Sequence, residues 1–218
     1  MKTKGFIFDL DGVIVDTAKY HFLAWKNLAN SLGFDFTETQ NEQLKGVSRV
    51  ESLKKILAWG ETTVSDEKFQ DLMALKNTEY LEYINKMNNS EILPDVPRVL
   101  DYLIAKNQGV SLGSASKNAR VILEKVNLLN KFKTIVDGND VTKAKPDPEV
   151  FLNAAKSLNI NPEDCVVFED SVAGVQAANT ANMISIGIGS KDVLHEADYV
   201  FNDFTEISDA FVEALITK

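Results

Sequence analysis

The sequence is poor in the residues that staple or anchor a chain. A single cysteine, Cys165, excludes an internal disulfide and a cysteine-rich metal site, and its place at the head of Val166-Val167-Phe168 assigns it to core packing. Positive charge is also scarce: 23 Lys and Arg stand against 32 Asp and Glu, a net charge of −9 with a pI near 4.8. The cations are scattered, so the basic footprint of a nucleic-acid binder is missing and no nucleic-acid partner is expected. An anionic substrate would need a local cluster of cations. There is no repeat, no low-complexity tract and no run of about 18 apolar residues, so no membrane span is expected. The first apolar run starts at Phe6, which leaves no room for a signal peptide, and the expected location is the cytoplasm. The 218 residues suffice for one large domain or for a core with a smaller insert.

What is present is organised around Phe6-Ile-Phe-Asp-Leu-Asp-Gly-Val-Ile-Val-Asp-Thr17. The apolar run Phe6-Ile7-Phe8 has the character of a buried parallel strand, and it delivers Asp9 and Asp11 at its carboxyl end. Gly12 lets the backbone turn, so both acids can reach one pocket, where open α/β sheets bind ligands. Two acids so placed raise each other's pKa unless a cation lies between them or one keeps a proton. A hard cation such as Mg²⁺ would leave Asp9 ionised and able to attack phosphorus, with Asp11 shuttling the proton.

After this strand the pattern is helical for some seventy residues. Thr17 is positioned to cap a helix with His21, Trp25, Leu28 and Leu32 on one face, ended by Gly33. Glu38 to Leu44 reads as a short second helix. Ser48 to Glu51 reads as a capping box that opens a helix with Val50, Leu53, Ile56 and Leu57 apolar, closed by Gly60. Ser65 caps a longer one whose stripe, Phe69, Met73, Lys76, Tyr80 and Tyr83, is interrupted by a lysine. From Pro94 onward helices and strands alternate, with strands at 110–114, 135–136, 165–168, 184–188 and 199–201 and helices at 117–127, 148–158 and 172–180. That alternation predicts an α/β fold with a doubly wound parallel sheet. The expected organisation is a core of residues 1–16 and 91–218 with a helical cap, 17–90, inserted in it. The connecting passages near 15–17 and 87–91 are the candidate hinges.

Later strand ends supply further polar groups. Ser114-Ala115-Ser116-Lys117-Asn118 offers a hydroxyl and backbone N–H groups for phosphate oxygens. Lys145, held by Pro146, can place a point charge on a phosphate and on Asp9. Glu169 and Asp170 follow a buried strand as Asp9 does and suggest metal, with Asp170 the direct ligand and Glu169 nearby. The order DxD, Ser, Lys, acidic pair resembles the haloacid dehalogenase superfamily of phosphoryl-transfer enzymes. That resemblance implies a Rossmann-like core carrying an inserted helical cap.

The insert resembles the cap of the β-phosphoglucomutase family in whole phrases: residues 16–22, Ala24-Trp25-Lys26, residues 41–49, Ser52-Leu53 and Lys76-Asn77. The resemblance implies sugar-phosphate substrates, interconversion of β-D-glucose 1-phosphate and glucose 6-phosphate, and β-glucose 1,6-bisphosphate as intermediate. It also implies one Mg²⁺ per monomer, held by Asp9, Asp11, Glu169 and Asp170. Residues 114–118, Lys145 and Arg49 would bind phosphate; Arg49 is suited to a second, non-reacting phosphate because its guanidinium is a bidentate donor beside a helix start. Thr17, His21, Trp25, Leu44, Lys45, Gly46, Val47, Ser48, Ser52 and Lys76 would form the cap's side of the site. In the family's pattern the matching lysine touches sugar hydroxyls and the matching histidine couples cap closure to Asp11; Trp25 is expected to pack. A monomer is expected. The rival readings are a hexose-phosphate phosphatase and a non-catalytic sensor, the latter expected to have lost Asp9 or Asp11. The loop 136–144 and the tail after Gly189 depart from the family's wording and match no catalytic motif.

Overall fold

The computed structural model describes residues 3–218; Met1 and Lys2, which begin the expected core, lie outside the described residues. Strand β1 (Gly5–Phe8) is followed by four helices, α1 (Ala18–Ser31), α2 (Glu38–Glu42), α3 (Arg49–Trp59) and α4 (Asp66–Ile84). Alternation then begins with α5 (Val96–Ala105), β2 (Gly109–Gly113), α6 (Ala119–Lys125), β3 (Thr134–Val136) and α7 (Glu149–Leu158). It continues through β4 (Cys165–Glu169), α8 (Val172–Thr180), β5 (Ile184–Ile188) and β6 (Tyr199–Phe201) to α9 (Asp209–Thr217). All six strands pair in parallel in the order β3-β2-β1-β4-β5-β6. This is the doubly wound sheet that the alternation predicts, and its order reverses between β1 and β4. Ligands bind outside the carboxyl ends of strands at such a reversal.

The strand pleat assigns the two faces. Phe6 and Phe8 pack with Val166 and Phe168 under α5, α6 and α9, whereas Ile7 and Val167 face the opposite way, against Val150, Phe151 and Ala154 of α7 and Ala177 of α8. The rings of Phe8 and Phe168 stack with centroids 4.5 Å apart, and Phe204 closes on them at 6.3 and 5.5 Å. Helices α1–α4 have an apolar cluster of their own, with Trp25, Leu28, Phe36, Leu53, Ile56 and Leu72 at its centre.

Four local expectations are corrected. Thr17 stands at the N-cap of α1 with helical backbone angles and no side-chain cap bond, because its hydroxyl is used elsewhere. Ser48 accepts from the Glu51 amide, but Glu51 pairs with Lys54 at 2.7 Å and does not reach back, so only half of the capping box forms. The buried seam of α4 is Leu72, Lys76, Tyr80 and Ile84, which sets Phe69, Met73 and Tyr83 at its edges; Val50, expected on the apolar face of α3, is exposed. The passages before and after the four helices run side by side: Leu93 N–H donates to Ile14 O at 3.0 Å, and Asp16 N–H to Glu91 O at 3.1 Å.

Because Phe168 fills the centre of one sheet face, Phe168→Ala should cost about 3–5 kcal/mol, read as a lower urea midpoint with an unchanged m-value.

Candidate active site

Asp9 extends β1 by one ladder bond, its N–H donating to Phe168 O at 3.0 Å, so its carboxylate emerges where the sheet order reverses. The Asp11 N–H turns back and donates to Asp9 Oδ2 at 3.1 Å. Gly12 has φ +80°, and a Cβ there would lie 2.1 Å from Asp170 Oδ2. Bare backbone at this position therefore lets the end of β4 approach the turn after β1.

The Lys145 ammonium is buried between two acids, 2.6 Å from Asp9 Oδ1 and 2.5 Å from Glu169 Oε1. The other oxygen of Glu169 accepts from the Ser171 N–H and hydroxyl, each at 2.8 Å. The Glu169 carboxylate, expected among the metal ligands, is engaged by Lys145 and Ser171 and does not line the cavity. Gly174 in α8 makes room for it, since a Cβ there would lie 1.9 Å from the Glu169 carboxyl carbon. The Lys145–Pro146 peptide is cis, and Pro148 stands at the N-cap of α7.

Burial pushes the Asp9 carboxyl up to about 7 against the pull of Lys145, with Glu169 and Asp11 adding to the rise. Asp11 is raised by burial and restrained by a short hydrogen bond from the Thr17 hydroxyl. Asp170 is raised well above the usual range by burial, then by Glu169 and Asp9, with Lys45 opposing from 3.8 Å. Burial also works against the Lys145 ammonium, but Asp9 and Glu169 outweigh it and its pKa rises.

Above these acids lies a cavity of about 510 Å³ between the strand ends and α1, α3 and α4. Every residue expected in the site lines it except Glu169 and Thr17: Asp9, Asp11 and Asp170; Ser114, Ala115, Ser116, Lys117 and Asn118; Lys145; and, from the helices, His21, Trp25, Leu44, Lys45, Gly46, Val47, Ser48, Arg49, Ser52 and Lys76. Thr17 sits behind the wall, bonded to Asp11. In the loop after β2, the Ser114 and Ser116 hydroxyls accept from the amides of Ser116 and Asn118 at 3.1 and 3.3 Å. Arg49 has no acidic partner among the described residues.

Lys76 is 2 % exposed, with its ammonium 4.7 Å from the Trp25 ring, 4.4 Å from the Tyr80 ring and 2.9 Å from His21 Nδ1. Burial, then Arg49, brings its pKa down to about 7; burial, then Lys76 and Arg49, holds His21 well below its ordinary value. His21 makes its hydrogen bond with Lys76, and Asp11 receives its bond from Thr17.

Three features of the site escaped sequence reasoning. Tyr80, one turn beyond Lys76, lines the cavity and stacks on His21 at 4.3 Å. Ser171 holds Glu169 and caps α8. The loop after β3, set aside for matching no motif, lines the cavity through Gly138, Val141, Thr142 and Lys143. Its signal was positional, because the carboxyl-end loops of a parallel sheet converge.

Residues 6–188 match the family described as haloacid dehalogenase-like hydrolase. The chain belongs to that family. Among haloacid dehalogenase-like proteins it is 42% identical to the beta-phosphoglucomutase of Bacillus subtilis (strain 168), over 94% of this chain and 92% of the relative. It is 32% identical to a phosphorylated carbohydrates phosphatase of Thermotoga maritima, over 81% of each. The crystal structure of a beta-phosphoglucomutase from Clostridium difficile superimposes with a TM-score of 0.95 at 38% identity, covering 99% of this chain and 98% of that one. Haloacid dehalogenase-like mutases of this kind imply a metal cofactor. Among the described residues no three His, Cys, Asp or Glu side chains gather as a metal cluster, but the paired carboxylates of Asp9 and Asp170 are the hard oxygen donors such a cation takes.

The unfolded chain keeps the Lys76 proton up to about 10.5, whereas the native protein releases it near 7. Between these values the unfolded state binds more protons, so this group makes stability rise with pH. Lys76→Met should therefore be more stable than its parent by about 1–2 kcal/mol near neutral pH and below. The advantage should shrink towards pH ~10, checked by urea unfolding across that range.

Proposed function

We propose that the protein interconverts β-D-glucose 1-phosphate and glucose 6-phosphate, through a phosphorylated Asp9 and a β-glucose 1,6-bisphosphate intermediate. The observation that carries this reading is the second cationic end of the cavity. Lys145 serves Asp9, while Arg49, with no acid partner among the described residues, remains for a phosphate that does not react. A hydrolase acting on one phosphate has no need of that second end. The likeness to the mutase relatives supports the same reading.

Asp9 attacks phosphorus: an Asp9 oxygen–phosphorus bond forms, the sugar oxygen–phosphorus bond breaks, and Asp11 gives its proton to the departing sugar oxygen. In the other half-reaction the free hydroxyl of a sugar monophosphate gives its proton to Asp11 and attacks phospho-Asp9, so that its oxygen–phosphorus bond forms as the Asp9 oxygen–phosphorus bond breaks and the bisphosphate results. Ser114 and the loop amides hold the equatorial oxygens, and Lys145 offsets their charge. Mg²⁺, one per monomer, would be held by Asp9 and Asp170 with Asp11 beside them, and it would neutralise charge on the transferring phosphoryl group. Lys76 faces the sugar hydroxyls. Residues 17–90 act as a cap domain over a core of residues 1–16 and 91–218, hinged where 14–16 and 91–93 run together. Closure leaves a sugar hydroxyl, and no water, facing phospho-Asp9. We place this activity in a cytoplasmic monomer.

Purified protein given β-glucose 1-phosphate, Mg²⁺ and a trace of the bisphosphate should form glucose 6-phosphate much faster than inorganic phosphate. Asp9→Asn should lose both by roughly a thousandfold or more. Phosphate release with little glucose 6-phosphate would replace the mutase reading with a hexose-phosphate phosphatase.

A further inference from the structure

Away from the connecting passages, two polar side-chain contacts tie the helices to the strand-end loops among the described residues. Lys45 reaches Asp170 at 3.8 Å, and Asn118 Nδ2 donates to Asn77 Oδ1 at 3.0 Å. Other side-chain bonds that cross, from Thr17 to Asp11, from Lys19 and Tyr20 to Glu91 and from Asn127 to Asn89, lie beside the passages. Away from the passages the cap is thus pinned at two points among the described residues, each ending on a group the proposed reaction uses. Asn77 follows Lys76 on α4 and is half-buried; Asn118 ends the loop 114–118 as the N-cap of α6.

We propose that Asn77 is a positioning residue that ties closure of the cap to occupancy of the loop 114–118 by the anionic end of a sugar phosphate. The proposal rests on the reading of that loop as a phosphate site. A primary amide has two N–H donors. One N–H of Asn118 is committed to Asn77 across the gap, and the other is left for an oxygen held by the loop. A bound anion fixes the Asn118 rotamer, and the fixed rotamer is the one Asn77 engages. Anion binding and closure therefore favour each other, and by linkage the factor is the same in both directions. A neutral amide pair of this kind accounts for roughly three- to tenfold. The mutational signature is distinctive, because a cap that closes less often both binds the substrate less tightly and admits more water to the phospho-enzyme.

The test compares Asn77→Ala, Asn118→Ala and the double variant by calorimetric binding of glucose 6-phosphate and by the ratio of inorganic phosphate to glucose 6-phosphate formed per turnover. Asn77→Ala is expected to weaken binding and to raise the hydrolytic ratio by roughly three- to tenfold each, with kcat at saturation within about twofold. Adding it to Asn118→Ala should change little, because the two residues act as a pair. Unchanged binding in Asn77→Ala overturns the proposal, as do fully multiplicative effects of the two substitutions. Binding is read without turnover, so a protein that lacks mutase activity yet loses affinity in Asn77→Ala would refute the mutase reading and keep the latch.

Discussion

The site depends on one buried ammonium shared by two carboxylates. Lys145 is out of water between Asp9 and Glu169, and each acid comes from the end of a different central strand. A charge in such a place is tolerated only when it is paired and hydrogen-bonded, and removing one partner from such a network costs about 3–5 kcal/mol. The surrounding backbone is shaped to keep the network complete. Gly174 leaves room for Glu169, Ser171 takes its second oxygen, and Gly12 admits Asp170 from β4 to the turn after β1. The β1–β4 adjacency that aligns these groups is maintained by the Phe8–Phe168 stack one residue below.

From that arrangement the division of labour follows. The strand ends supply Asp9, the proposed nucleophile, and the charge that opposes it, while the inserted helices, with their own apolar cluster, supply Arg49, Lys76 and the roof of the cavity. Lys76 shows the cost of this. It stands in the buried seam of α4 where an apolar residue would pack better; Trp25, Tyr80 and His21 face it with rings, and the attraction of Asp11 and Glu79 does not offset its burial. An amine buried so deeply among rings detracts from stability, which fits the proposal that it serves a ligand of the cavity.

Much of this was legible in the chain because it rests on local pattern. Phe6-Ile7-Phe8 marked a central strand, and the later strands fell within a residue or two of their observed ends. The chemistry-bearing positions could be found because parallel strands deliver their carboxyl ends to one side, so polar residues after apolar runs were bound to meet. Orientation was less legible. Whether Glu169 points to a cation site or to Lys145 depends on Ser171 and Gly174, which carry no motif. Thr17 could cap α1 or bond Asp11, and tertiary contact decided. Strand order, and with it the entry of the 138–144 loop into the cavity wall, is a property of pairing that no single segment encodes.

The most direct measurement is the titration of the Asp9 carboxyl in metal-free protein, followed by carbon NMR in the parent and in Lys145→Ala. If the buried ammonium governs the nucleophile, Asp9 titrates near 7 in the parent and higher once Lys145 is removed. An Asp9 that titrates near ~4 in both proteins would contradict the account, because it would place the carboxylate in water and out of Lys145's reach.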